Sequence, residues 1–218
     1  MKTMLGSIAM AAVAAMGVVG GAGAQVCVGY PTTGGQFSVS ANAQFVDGSD
    51  FGDVLGVEAS YDALGPLSVF GGLTVVDGQD VIDDVHIFGA GLAYEFATTR
   101  TADTPSFSLC PTLSISYASI DELGSGINVP LGIGIGTTFA GGTGVEISPF
   151  VVPQLIYSRF KADEDLGFGD DDTETSTDAG VYGGVNVSFR SFWVGGSLTH
   201  VLARDSDTQF AIRVGLRL

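Results

Sequence analysis

Seven ionisable side chains, Glu58, Asp62, Glu95, Glu146, Arg190, Arg213 and Arg217, fall on the polar member of a two-residue alternation that runs through most of the chain. Acids and bases enclosed together in a narrow, low-dielectric space pair with one another, because a buried charge without a partner is expensive. Such a set can serve as an ion gate or selectivity ring, or it can be a fixed salt-bridged plug. A second concentration of charge runs from Lys161 to Asp178 and holds Asp163, Glu164, Asp165, Asp170, Asp171, Asp172, Glu174 and Asp178, with Gly167 and Gly169 permitting tight bends. Carboxylates at this density are the hard oxygen ligands that Ca²⁺ or Mg²⁺ prefers, with Asp170, Asp171 and Asp172 the nearest to a cluster. The spacing lacks the D-x-D-x-D-G order of a dedicated calcium loop. A solvated loop of mutually repelling charges is therefore the preferred reading, and no metal is assigned.

Two cysteines, Cys27 and Cys110, lack the spacing of a zinc site; in an exported chain they predict one disulfide, which would draw residues 27–35 across the nearer mouth. The only histidines, His86 and His200, lie near Asp83, Asp84, Asp205 and Asp207. Imidazole beside carboxylate could support hydrolysis, but both read more simply as ordinary interfacial side chains. No serine sits in a nucleophile elbow, and Gly132-Ile133-Gly134 belongs to a strand rather than a phosphate loop. No catalytic residue and no cofactor is assigned.

The elements that carry these residues alternate with period two. Phe107, Leu109, Pro111, Leu113, Ile115 and Tyr117 make one side of a strand whose other side is Ser106, Ser108, Cys110, Thr112, Ser114 and Ser116. Successive side chains on a strand point to opposite faces, so this segment has one apolar and one polar face. The same pattern sets Phe37, Val39, Ala41, Ala43 and Phe45 against Ser38, Ser40, Asn42 and Gln44. It also sets Phe210, Ile212, Val214, Leu216 and Leu218 against Gln209, Ala211, Arg213 and Arg217. About ten such segments recur, with eight possible because the third and ninth are weakest; helical periodicity is absent.

The charges decide which face meets solvent. Glu58, Asp62, Glu95, Glu146, Arg190, Arg213 and Arg217 all take the polar parity, and the apolar parity carries no charge until Arg159. A soluble barrel would have a greasy inside and a charged outside. Lipid-facing rows exclude charge, since Arg or Lys there costs roughly 2–4 kcal/mol. Outward aromatics gather near the strand ends. Phe37, Tyr61, Phe96, Phe107, Phe139, Phe189 and Phe192 fall at one level, and Phe45, Phe88, Tyr117, Tyr157 and Phe210 at the other. Two girdles of this kind mark the interfaces of a bilayer. Ten residues tilted near 40° span roughly 25 Å, which matches the apolar band.

Composition agrees. The chain has 8 basic and 24 acidic residues, a balance that argues against nucleic acid as partner. Residues 1–24 read as a cleaved signal peptide: Lys2, an apolar run from Met4 to Val19, then the small-x-small Ala22-Gly23-Ala24. Residues 25–35 would form a periplasmic tail and residues 36–218 the barrel, with Lys161 the one lysine remaining. The connections divide into short turns and an alternate acidic set, which places the short set in the periplasm and the acidic set outside.

These features resemble the small outer-membrane β-barrel proteins, of the OmpA, OmpX and OmpW kinds, over Gln25 to Leu218. The resemblance rests on pattern. It implies a closed, antiparallel, up-and-down transmembrane barrel in the bacterial outer membrane, in contact with membrane lipid and lipopolysaccharide and assembled by the barrel-assembly machinery. Family members often end on an aromatic residue, whereas this alternation closes on Leu218. The preferred expectation is a non-enzymatic barrel with a structural or surface-interaction role and a largely filled lumen; its surface ligand is not identified by the sequence. A narrow cation-leaning channel is the alternative, and an outer-membrane hydrolase or lipid-modifying enzyme the more distant one.

Overall fold

The alternating segments all become strands, and no helix occurs among the described residues. The computed structural model describes residues 37–46, 54–64, 67–76, 85–97, 106–120, 124–140, 144–162, 173–189, 191–202 and 208–218. In chain order the strands are β1 (Phe37–Val46), β2 (Val54–Leu64), β3 (Leu67–Val76), β4 (Val85–Tyr94), β5 (Phe96–Ala97) and β6 (Ser106–Ile120). They continue as β7 (Gly124–Ala140), β8 (Val145–Ala162), β9 (Thr173–Phe189), β10 (Phe192–Val201) and β11 (Thr208–Arg217). The two residues of β5 prolong β4 after a break at Glu95, and both pieces pair with β6. The sheet therefore has ten staves.

Every junction is antiparallel, and the sheet closes where β1 meets β11, from Ser38 opposite Arg217 to Val46 opposite Gln209. Closure removes the open edges that would leave amides and carbonyls unpaired in hydrocarbon. The register is staggered. Paired residues lead from Ala41 in the middle of β1 through Val57, Leu73, Phe88, Tyr117, Ile127 and Arg159 to Thr175, near the far end of β9. That progressive offset is what tilts the staves of a barrel, by about 35–45°.

The two weakest predicted strands are both present, as the ten-residue β3 and β10, so ten staves stand and eight do not. The acidic segment is shorter than its composition implies. β9 already begins at Thr173, where alternating threonines favour an extended chain, and Thr173, Thr175 and Thr177 pair with Lys161, Arg159 and Tyr157. Gly144 takes a φ of 78° at the turn into β8, a conformation an L side chain would resist. Residues 1–35, expected as leader and tail and including Cys27, lie outside the described residues, as do Arg190 and Asp170–Asp172.

The apolar parity faces out. Leu113, Ile133 and Val214 are 42–50% exposed, and the other large residues of their rows are exposed too, while Ser40, Ser60, Ser114, Ser188 and Arg213 are buried inside. All twelve predicted girdle aromatics stand on the outer surface. An outer face of this composition suits hydrocarbon and not water.

Candidate functional site

The interior is a column of inward side chains that changes character along its length. At the loop end, Val54, Val76, Val85, Ile87, Ala118 and Ile156 point inward and are closed to solvent. This apolar wall departs from the expectation that hydroxyls, amides, glycines and charges line the inside. Val85 and Ile87 share a strand with outward His86 and Phe88, so both faces look apolar in sequence. Parity alone did not single them out.

Polar groups take over at mid-depth. Arg213 on β11 is 2% exposed and Tyr182 on β9 is 1% exposed. The guanidinium Nη1 donates to the Tyr182 hydroxyl at 2.8 Å, and the guanidinium carbon lies 5.7 Å from the centre of its ring. On the strand between them, Ser197 is buried on the same inward face. On the other side, Asn42 of β1 is opposite Arg213 and Gly56, and Glu58 follows on the same inward row of β2. Glu58 and Arg213 form no ion pair within contact distance, because β1 stands between their strands. An arc of polar side chains thus crosses five neighbouring staves at one level. Phe150, Val152, Ala93 and Cys110 pack with Tyr182 and close the remaining space.

The turn end is held by shorter links. Glu95 accepts from Ser108, beside the break in its stave. Arg217 Nη2 donates to Ser188 at 2.9 Å and lies 3.9 Å from a Glu146 carboxylate oxygen. Thr138 and Ser148 are 3.3 Å apart. Of the predicted charge network, the structure brings Glu146 to Arg217, while Glu58 and Arg213 face the bore from strands on either side of β1. Glu95 stands apart from these four, and Asp62 lies on β2 near its turn end. Cys110 is buried in the bore, as its parity requires.

Three inward aromatics were not singled out by the sequence. Phe70, Phe150 and Trp193 each lie over the glycine directly opposite on the next strand, Gly91, Gly184 and Gly215. A Cβ at Gly91 or Gly215 would run into the ring, and one at Gly184 would meet the Gly196 carbonyl first and the Phe150 ring next. The glycines thus make space for rings laid against the wall, a cross-strand pairing known to stabilise sheets. The only signal in the sequence is an aromatic residue on the parity otherwise given to serine and glycine.

Several buried polar atoms have no protein partner among the described residues: both amide atoms of Asn186, Nε2 of Gln154, Oε1 of Gln209 and Nε of Arg213. Buried water is the usual partner for such groups in a polar interior. No group of three or more His, Cys, Asp or Glu able to hold a metal occurs among the described residues. His86 and His200 are on the outer face as expected, and His200 Nδ1 lies 3.2 Å from the Thr208 hydroxyl. The aspartates near them lie outside the described residues.

No protein-family model and no curated protein matches the chain. Among solved structures it is similar to the N-terminal β-barrel domain of Pseudomonas aeruginosa OprF, at 12% identity over 85% of this chain and 98% of that one, with a TM-score of 0.39. It is also similar to LpxR from Salmonella typhimurium, at 9% identity, 83% and 99% coverage and a TM-score of 0.47. A further likeness is to the KdgM porin in complex with disordered oligogalacturonate, at 10% identity, 82% and 98% coverage and a TM-score of 0.44.

Proposed function

We propose that this chain is a bacterial outer-membrane protein whose barrel is closed to solute and whose work, structural or adhesive, is done at its surface. Outward apolar rows between two aromatic girdles support the membrane setting, because strands can cross lipid with every backbone group satisfied only when they are joined in a ring. Short turns then face the periplasm and the acidic connections face outward. Membrane lipid and lipopolysaccharide surround the barrel, and the barrel-assembly machinery inserts it.

One observation carries the choice of a closed bore: the solvent-inaccessible Arg213–Tyr182 pair at mid-depth, packed against Val152 and Phe150. Eight staves leave room only for side chains, and water-filled channels usually need sixteen or more. Ten staves with inward phenylalanine, tyrosine and tryptophan fall at the filled end of that range. The reading assigns no catalysis to the barrel. Planar-bilayer recording of the refolded chain tests it. Silence at moderate voltage is expected; a steady single-channel current lost in Arg213 or Glu58 variants would replace the closed bore with a narrow channel.

A further inference from the structure

We infer that the outward row Arg159–Lys161 on β8 is a seat for the phosphorylated headgroup of an outer-leaflet glycolipid, an assignment that rests on the membrane reading above. Four cationic side chains occur among the described residues, and two of them, Arg213 and Arg217, face the bore. The other two stand next to each other on one outward row, and both are exposed. In a chain with a formal charge of −16, cations gathered at one place on the outer wall stand against the general balance.

Their height fixes what they meet. Tyr157, 44% exposed, belongs to the loop-end aromatic girdle and precedes them on the same row. Each further outward residue adds roughly 6.6 Å along the strand, or about 5 Å of height once the tilt is allowed for. Arg159 therefore stands about 5 Å and Lys161 about 10 Å beyond the aromatic level, where headgroups and not acyl chains lie. The neighbouring strands add hydroxyls. Thr175 is opposite Arg159 and Thr173 opposite Lys161 on β9, and Ser125 is opposite Lys161 on β7.

Among the described residues, no carboxylate stands on this face. At the same height Glu174, opposite Phe160, takes the other parity, toward the mouth of the bore; Asp178 keeps that parity lower down, opposite Ile156, and accepts from Ser176 at 2.9 Å. Two cations with hydroxyls at their sides form a surface that attracts phosphate, and a fork-shaped guanidinium beside a flexible ammonium suits paired phosphate groups on one headgroup. The occupant is a lipid because the row continues directly from a surface already immersed in acyl chains.

The test uses the full refolded chain in detergent, with diphosphorylated lipid A as the probe and retention read by native mass spectrometry. The expected result is lipid retention that weakens roughly 30-fold in R159Q/K161Q, from about one cation's surface contribution for each side chain removed. R159K/K161R should keep most of the retention, and dephosphorylated lipid A should bind the wild type as weakly as intact lipid A binds the glutamine variant. Raising ionic strength should release lipid from the wild type without any substitution. Equal retention by R159Q/K161Q, or equal retention of the dephosphorylated lipid, would overturn the assignment. Displacement by inorganic phosphate alone would make this a soluble-anion site and overturn the lipid. Insertion into phosphatidylcholine vesicles, scored by heat-modifiable mobility, separates the two readings: a chain that inserts but shows no phosphate preference loses only this site, whereas one that never inserts loses both.

Discussion

Tyr182→Phe isolates a single hydrogen bond in the middle of the barrel. The substitution removes the hydroxyl that accepts from Arg213 Nη1 at 2.8 Å and leaves the ring beneath the guanidinium, 5.7 Å from its carbon, unchanged. Volume is nearly conserved, so the cavity contribution is small and the cost reports the lost acceptor. A hydrogen bond to a charged donor contributes about 1.5–3 kcal/mol, and the orphaned donor here is buried. Y182F should therefore destabilise the barrel by about 1.5–3 kcal/mol. The measurement is equilibrium urea unfolding in lipid vesicles, followed by fluorescence of Trp193, the chain's one tryptophan. A cycle with R213M completes it: once the guanidinium is absent, Y182F should cost much less, and the difference is the coupling. A Y182F variant within about 0.5 kcal/mol of wild type, or a cycle without coupling, would refute the structural assignment of this pair.

Three further outcomes follow from the same geometry. Gly215→Ala places a methyl group against the Trp193 indole; it should cost about 1–3 kcal/mol and shift the tryptophan emission, and an unchanged spectrum with unchanged stability would contradict the ring-on-glycine packing. Val214→Arg puts a charge on the outer face at mid-strand, opposite Ala41 and Val194. It should lower stability in vesicles by about 2–4 kcal/mol, whereas Arg159→Leu at the rim should leave insertion intact, and equal effects would remove the distinction between the hydrocarbon level and the rim. Intact-mass analysis of protein recovered from the membrane should find a chain beginning at Gln25; a retained leader would overturn the assignment of residues 1–24.

The architecture was legible because lipid imposes a simple rule on side chains. Segments such as Phe107–Tyr117 alternate cleanly, every early charge keeps one parity, and both girdles could be placed by counting residues along strands. Where the interior departs from a polar lining, the sequence is ambiguous for a physical reason. Val54, Val76, Val85 and Ile87 face an enclosed space that needs volume more than polarity. At the loop ends of those strands both faces are apolar, as where Val54 adjoins Leu55 and Val76 adjoins Val75, and parity loses its contrast. The partnership of Tyr182 with Arg213 was hidden in a different way. It joins β9 to β11 across an intervening strand, and only the register brings the two residues to one level. The extent of β9 was misjudged because acidic residues suggest a loop, while the threonines between them extend the ladder.

The seam between β1 and β11 has a consequence for how the molecule is made. It joins the two ends of the barrel sequence, so the first stave waits for the last to be synthesised before its outer backbone groups find partners. A nascent chain lacking Thr208–Arg217 would bring two raw margins to the membrane, one on β1 and one on β10, each with amides that lipid cannot satisfy. Pairing over so long a separation is also slow. The polypeptide must therefore be kept unfolded in water until its final segment arrives, and that segment acts as the clasp that commits the whole ring.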